Sequence, residues 1–309
     1  MTPWRLWDRF WFTPTSARPL GAIRILFGLT WLLNLALLIP DADYWLSSAG
    51  MLRGGEVREL AGPWRPSPLQ WVQDPAAVHA FLALSAVIGV LFTLGWRTRI
   101  NGILLYLATI SIHHRNLLTA SGADCLLAIL AFLLMLSPCG AAYSLDARRT
   151  ARRLGAWFEP LIATWPLRLI QIQISLIYLT TACLKSAGED WLDGSALHYV
   201  LNNGEVSRFT FGLDQLPQVT CWLTYAALAV EFALVVFPWF RKTRPWVLLL
   251  GLGLHGSILL TVNIPIFGEL MCLSYLAFLT PAEFDALLRL VRPRILTRQT
   301  PHAPFPPPS

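Results

Sequence analysis

Apolar residues fill eight stretches of this chain, at about residues 19–40, 76–95, 100–113, 119–138, 166–185, 217–239, 245–262 and 264–281. Most approach the roughly twenty residues a helix needs to cross the hydrocarbon core of a bilayer; the third is the shortest and its ends are the least defined. Prolines punctuate the borders, at Pro19, Pro40, Pro138, Pro166, Pro238, Pro245 and Pro281. Those are the positions where a residue without an N–H is tolerated. The pattern predicts an all-α integral membrane protein, a polytopic bundle of about eight transmembrane helices.

The polar segments between the stretches differ in kind. Arg5, Arg9 and Arg18 precede the first stretch, Arg97 and Arg99 follow the second, and Arg148, Arg149, Arg152, Arg153 and Arg168 lie between the fourth and fifth. Arg241, Lys242 and Arg244 join the sixth to the seventh, and Arg289, Arg292, Arg294 and Arg298 follow the eighth. The alternate segments hold only Arg53, Arg58, Arg65, Arg115 and Arg208. Positive charge gathers on the cytoplasmic side of membrane proteins, so both termini are expected in the cytoplasm of a plasma-membrane protein. The predicted organisation is an inner-interface amphipathic segment at 1–18, a membrane domain at 19–290 and a basic, then proline-rich tail at 291–309. Long outer segments are expected at 41–75 and 186–216.

Composition agrees. The 309 residues are 55% hydrophobic and 14% charged, against about 25% charged for a soluble domain. Fourteen Trp and sixteen Phe suit interfacial aromatic belts. The net charge of +6 sorts by membrane side instead of forming one basic face, so no nucleic-acid partner is expected. The first stretch is long enough to be a retained span, and no signal-peptide cleavage pattern precedes it. Cys125, Cys139, Cys183, Cys221 and Cys272 lie in or beside the apolar stretches with no CxxC pair, which predicts neither a disulfide framework nor a metal site.

Charge inside the apolar stretches marks the candidate chemistry, because it is expensive there unless paired or used. Lys185 closes the fifth stretch. Gln171, Ser175, Tyr178 and Lys185 recur at helical spacing and share one face, so that face is expected to meet protein or a wet cavity. Asp124 at the start of the fourth helix and His255 in the outer half of the seventh lie at a depth similar to that of Lys185. Together with Tyr178 they form the predicted catalytic set, a proton-handling site. Arg24 and Glu231 lie at similar depths nearer the inside and are expected to form a structural ion pair. Walker, HExxH, GxSxG and GxGxxG signatures are absent, so no nucleotide cofactor is expected.

These residues resemble a known family. Thr15–Gly28 with Arg24, Gly122-Ala-Asp124, Tyr143-Ser-Leu-Asp146, Ile177-Tyr178, Lys185, Gly188, Trp191, Gly194, Ala196, Glu231 and His255 are similar in order and spacing to bacterial HTTM proteins. That membrane domain is shared with vitamin K-dependent gamma-carboxylases, and the chain carries the membrane domain alone. The resemblance implies binding of a reduced, vitamin K-like quinone, with the family's base lysine at Lys185 and a functional histidine at His255. A second family histidine falls near Ala123, beside Asp124. Quinone contacts are expected at Gln171, Ser175 and Trp191, and the expected partners are membrane lipid or quinone and a secreted or membrane peptide. Two functions are open: quinone-linked base or oxygenation chemistry at an outward-facing cavity, or a non-catalytic role in peptide maturation, assembly or immunity.

Overall fold

The computed structural model describes residues 2–72, 74–155, 159–209, 212 and 215–291. Residues 292–309 of the predicted tail lie outside the described residues, as do 73, 210, 211, 213 and 214 of the two predicted outer segments. The described chain is nearly all helical. In order, the helices are α1 (Pro3–Phe12), α2 (Arg18–Leu38), α3 (Ala42–Leu46), α4 (Gly54–Ala61), α5 (Pro75–Leu94), α6 (Thr98–Arg115), α7 (Gly122–Leu136) and α8 (Leu145–Leu154). They continue with α9 (Trp165–Ser186), α10 (Glu189–Leu192), α11 (Ala196–Asn202), α12 (Pro217–Val236), α13 (Arg244–Thr261), α14 (Phe267–Ser274) and α15 (Pro281–Val291).

A helix occupies each of the eight predicted apolar segments. Five helical segments are long and apolar enough to cross a membrane: Arg18–Leu46, Pro75–Leu94, Trp165–Ser186, Pro217–Trp239 and Arg244–Thr261. The α7 helix, and α14 with its 3₁₀ continuation to Phe278, are apolar but shorter. The last segment is expected to start at 264, but its helix starts at Phe267, because Asn263 is drawn aside: its N–H bonds the carbonyl of Val206.

One element departs from the all-helical expectation. Pro14–Ser16 (β1) pairs antiparallel with Leu161–Ala163 (β2), Thr15 facing Ile162. Strands of three residues are too short to leave a period-two signature in sequence. The ribbon holds the start of α2 beside the start of α9. Below it α1 docks through Phe10, whose ring lies under the Arg168 guanidinium, 4.6 Å from its centre, and stacks on Trp239 at 6.3 Å.

The core is built around α2. Leu20, Ile23, Phe27 and Trp31 repeat every three or four residues and are buried, the stripe expected of a central helix. The indole of Trp31 donates to Thr109 on α6 at 2.8 Å, so its polar edge is satisfied. Gly28 lets α5 approach: a β-carbon there would lie 3.0 Å from Cβ of Thr93.

Arg24 does not pair with Glu231. It is fully buried, and its guanidinium donates to the carbonyls of Cys139 at 2.8 Å, Ala142 at 3.2 Å and Tyr143 at 2.6 Å. Similar depth suggested the pair, but depth leaves the rotation of the helix undetermined. That rotation aims Arg24 at the turn after α7, where carbonyls lack helical partners and a cation is favoured. Asp146 completes the same joint by accepting the N–H groups of Arg97 and Thr98, at 3.0 and 2.7 Å, at the start of α6.

Candidate functional site

Four elements bring the site together. The α9 helix supplies Tyr178, Thr181 and Lys185; α12 supplies Glu231; α13 supplies His255; the 3₁₀ turn after α14 supplies Tyr275. The lysine lies deeper than its place at a helix end suggests. The first two turns of α12 run past the end of α9 and pack on α10 and α11. There Thr224 accepts the N–H of Leu197 at 3.1 Å, and Tyr225 donates to the carbonyl of Leu192 at 2.9 Å. Gly194, at φ +83°, has no β-carbon to collide with the Tyr225 ring, which would lie 3.2 Å away. The predicted outer segment 186–216 therefore includes a helical cover over the Lys185 end of α9.

Under this cover, Nζ of Lys185 pairs directly with Oε1 of Glu231. The two side chains differ in exposure, 28% for the lysine and 8% for the glutamate. The amine is thus the accessible partner. It also lies 4.5 Å from the centre of the Trp191 ring, a cation–π contact. The other carboxylate oxygen, Oε2, is 3.3 Å from the Thr181 hydroxyl.

About two turns of α9 away from Lys185 runs a second polar chain. The hydroxyl of Tyr178 is hydrogen-bonded to Nε2 of His255 at 2.6 Å and, on its other side, to the hydroxyl of Tyr275. All three residues are buried. Gly251 makes room for the Tyr275 ring, since a β-carbon there would lie 2.8 Å from Cζ. Phe267 meets the His255 ring edge-on at 5.7 Å. Nδ1 of His255 is buried and has no hydrogen-bond partner among the described residues. A buried imidazole nitrogen without a partner is costly.

The predicted site residues divide. Lys185, Tyr178 and His255 gather here, and Trp191 joins through its ring. Asp124 does not gather with them. Its Oδ2 accepts from the backbone and hydroxyl of Ser121, both at 2.8 Å, as a capping box at the start of α7. Its Oδ1 faces Nε2 of His113 at 3.4 Å. Gln171 and Ser175 share the face of Lys185 but not its level: fourteen residues of helix separate Gln171 from Lys185, about 21 Å of rise. Gln171 donates to the carbonyl of Ala277 at 2.7 Å, and Ser175 accepts from the Trp239 indole at 3.0 Å. Both bind neighbouring helices. Tyr275, Thr181 and the role of Glu231 as partner of Lys185 are absent from the sequence reading. Glu269, a further acid on α14 with one buried unpartnered oxygen, is absent too. Among the described residues no group of His, Cys, Asp and Glu is arranged to hold a metal ion.

A family model described as the HTTM domain matches residues 12–282, which contain the whole of this site. The chain belongs to the HTTM domain family. It is also similar to the uncharacterized protein YitO of Bacillus subtilis (strain 168), 24% identical over 230 residues, 70% of this chain and 71% of that protein. No solved structure matches it. With its long apolar helices this HTTM chain is an integral membrane protein.

Proposed function

We propose that this HTTM protein spans the plasma membrane eight times, with both termini cytoplasmic, and removes a proton from a lipid-soluble substrate at its outer half. The substrate is a reduced, vitamin K-like quinone. The observation that carries this reading is the Lys185–Glu231 pair beside the Tyr275–Tyr178–His255 chain. A pair at such a site is hard to justify by stability alone, since desolvating two charges offsets much of their attraction. In the proposed step Lys185 passes a proton to Glu231, leaving both neutral, and the free amine accepts the proton of a quinol hydroxyl. Lysine suits this role because its amine loses charge readily when desolvated, unlike guanidinium. Tyr178 and His255 would hold the substrate oxygen, with the unpartnered Nδ1 of His255 as a ready acceptor or donor.

A second reading is favoured by the directness of the ion pair. An amine locked on its carboxylate suits a non-catalytic member of the fold acting on a secreted or membrane peptide in maturation, assembly or immunity. Organic extraction of the purified protein separates the two. The first reading predicts a quinone recovered in proportion to protein from wild type and lost from the Tyr178→Phe variant. Extracts free of quinone, from membranes that contain it, would favour the second.

A further inference from the structure

At the opposite end of the bundle from Lys185 lies a groove of about 1000 Å³, unrelated to the proposed quinol site. It opens between the surface helix α8, the inner ends of α6 and α7, and the start of α9. Its walls are largely apolar, with Met135, Leu136, Ala141, Ala147 and Trp165 among them. The volume is at the upper end of the range for small-molecule sites, about 300–1000 Å³.

The polar groups at this groove are unevenly committed. Both oxygens of Asp146 are occupied by Arg97 and Thr98, and Glu159 is paired with Arg18 at 2.8 Å. Arg99, which lines the groove, is exposed and has no ion pair among the described residues. Arg148, Arg149, Arg152 and Arg153 on α8 are exposed and have no ion pair among the described residues, but none lines the groove, and Arg149 lies over the Trp96 ring at 5.9 Å. Ala147 and Ala151 line the groove on the other side of that helix. An apolar slot with the uncommitted guanidinium of Arg99 at its edge is complementary to one kind of molecule, an amphipathic anion. Basic pockets between membrane helices recognise phosphate headgroups for this reason.

We propose that this groove binds an anionic phospholipid, its acyl chain along the walls and its phosphate at Arg99. The test uses the full chain in detergent micelles, exchanged with phosphatidylglycerol or with phosphatidylcholine of the same chains, and read by native mass spectrometry. Phosphatidylglycerol should be retained in preference. Arg99→Gln should lower its retention about fivefold, the weight of one arginine near an anionic surface. Ala147→Trp, which fills the groove without touching a charge, should lower retention of the anionic lipid at least as much. Equal retention of the two lipids would overturn the proposal. So would a loss on Arg99→Gln with none on Ala147→Trp, which would mean a headgroup held on the surface. Displacement by inorganic phosphate at matched ionic strength would also overturn it, in favour of a simple anion site.

Discussion

Glu231 is the more buried partner of its pair with Lys185. With Glu231 nearly buried, a Lys185→Met variant leaves a carboxylate without its cation, and breaking a buried pair typically costs about 3–5 kcal/mol. Glu231→Gln should be milder, because the more exposed amine can regain water. The expected order of thermal stability is therefore wild type, then Glu231→Gln, then Lys185→Met. A melting series in micelles checks it, and the reverse order would mean that the lysine is the buried partner. Arg24 makes a second residue-scale prediction. Removing it strands several buried carbonyls, and each unsatisfied group costs about 1–3 kcal/mol. Arg24→Ala should sharply reduce folded protein recovered from membranes, whereas Glu231→Ala should leave the Arg24 contacts intact. If Arg24→Ala melted like wild type, the carbonyl clamp would carry no weight.

At the scale of elements, the joint between α6 and α8 has a pH signature. Burial pushes the Asp146 carboxyl up, but hydrogen bonds from Thr98 and Arg97 outweigh it and hold the group below its ordinary 3.8. A carboxylate depressed in the folded state contributes stability above its unfolded pKa, and that contribution is lost as pH falls through the folded value. The gap in melting temperature between wild type and Asp146→Ala should thus be full near neutrality and narrow below about pH 4. A gap that stayed constant into acid would show that Asp146 contributes packing alone. The helices were largely legible beforehand, because runs of apolar residues and bordering prolines carry that information. The ribbon of β1 and β2 was not, since it is local hydrogen bonding without periodicity. The site was half legible. Helical spacing correctly put Tyr178 and Lys185 on an inward face, but spacing within one helix cannot say which acid on another helix faces it. Assigning Glu231 to Arg24 by depth failed because depth does not fix the rotation of α2, which turns Arg24 to the carbonyls after α7.

For the whole molecule, the eight-span proposal places α4 outside the cell and α8 inside. In a cysteine-free background, Glu59→Cys should react with an impermeant maleimide in intact cells, and Thr150→Cys only after permeabilisation; both residues are exposed. Reaction of both in intact cells would refute the topology. Only the assembled bundle brings the lysine of α9, the glutamate of α12 and the histidine of α13 within one polar cluster, which is proposed to move a proton. Turnover of a reduced quinone in membranes by Lys185→Arg tests it most directly. Arginine keeps the charge opposite Glu231 and so preserves the pair, but it does not give up its proton. The expected result is a folded variant whose turnover falls about 10²–10⁴-fold, the usual weight of a general base. Turnover equal to wild type in that variant would contradict it.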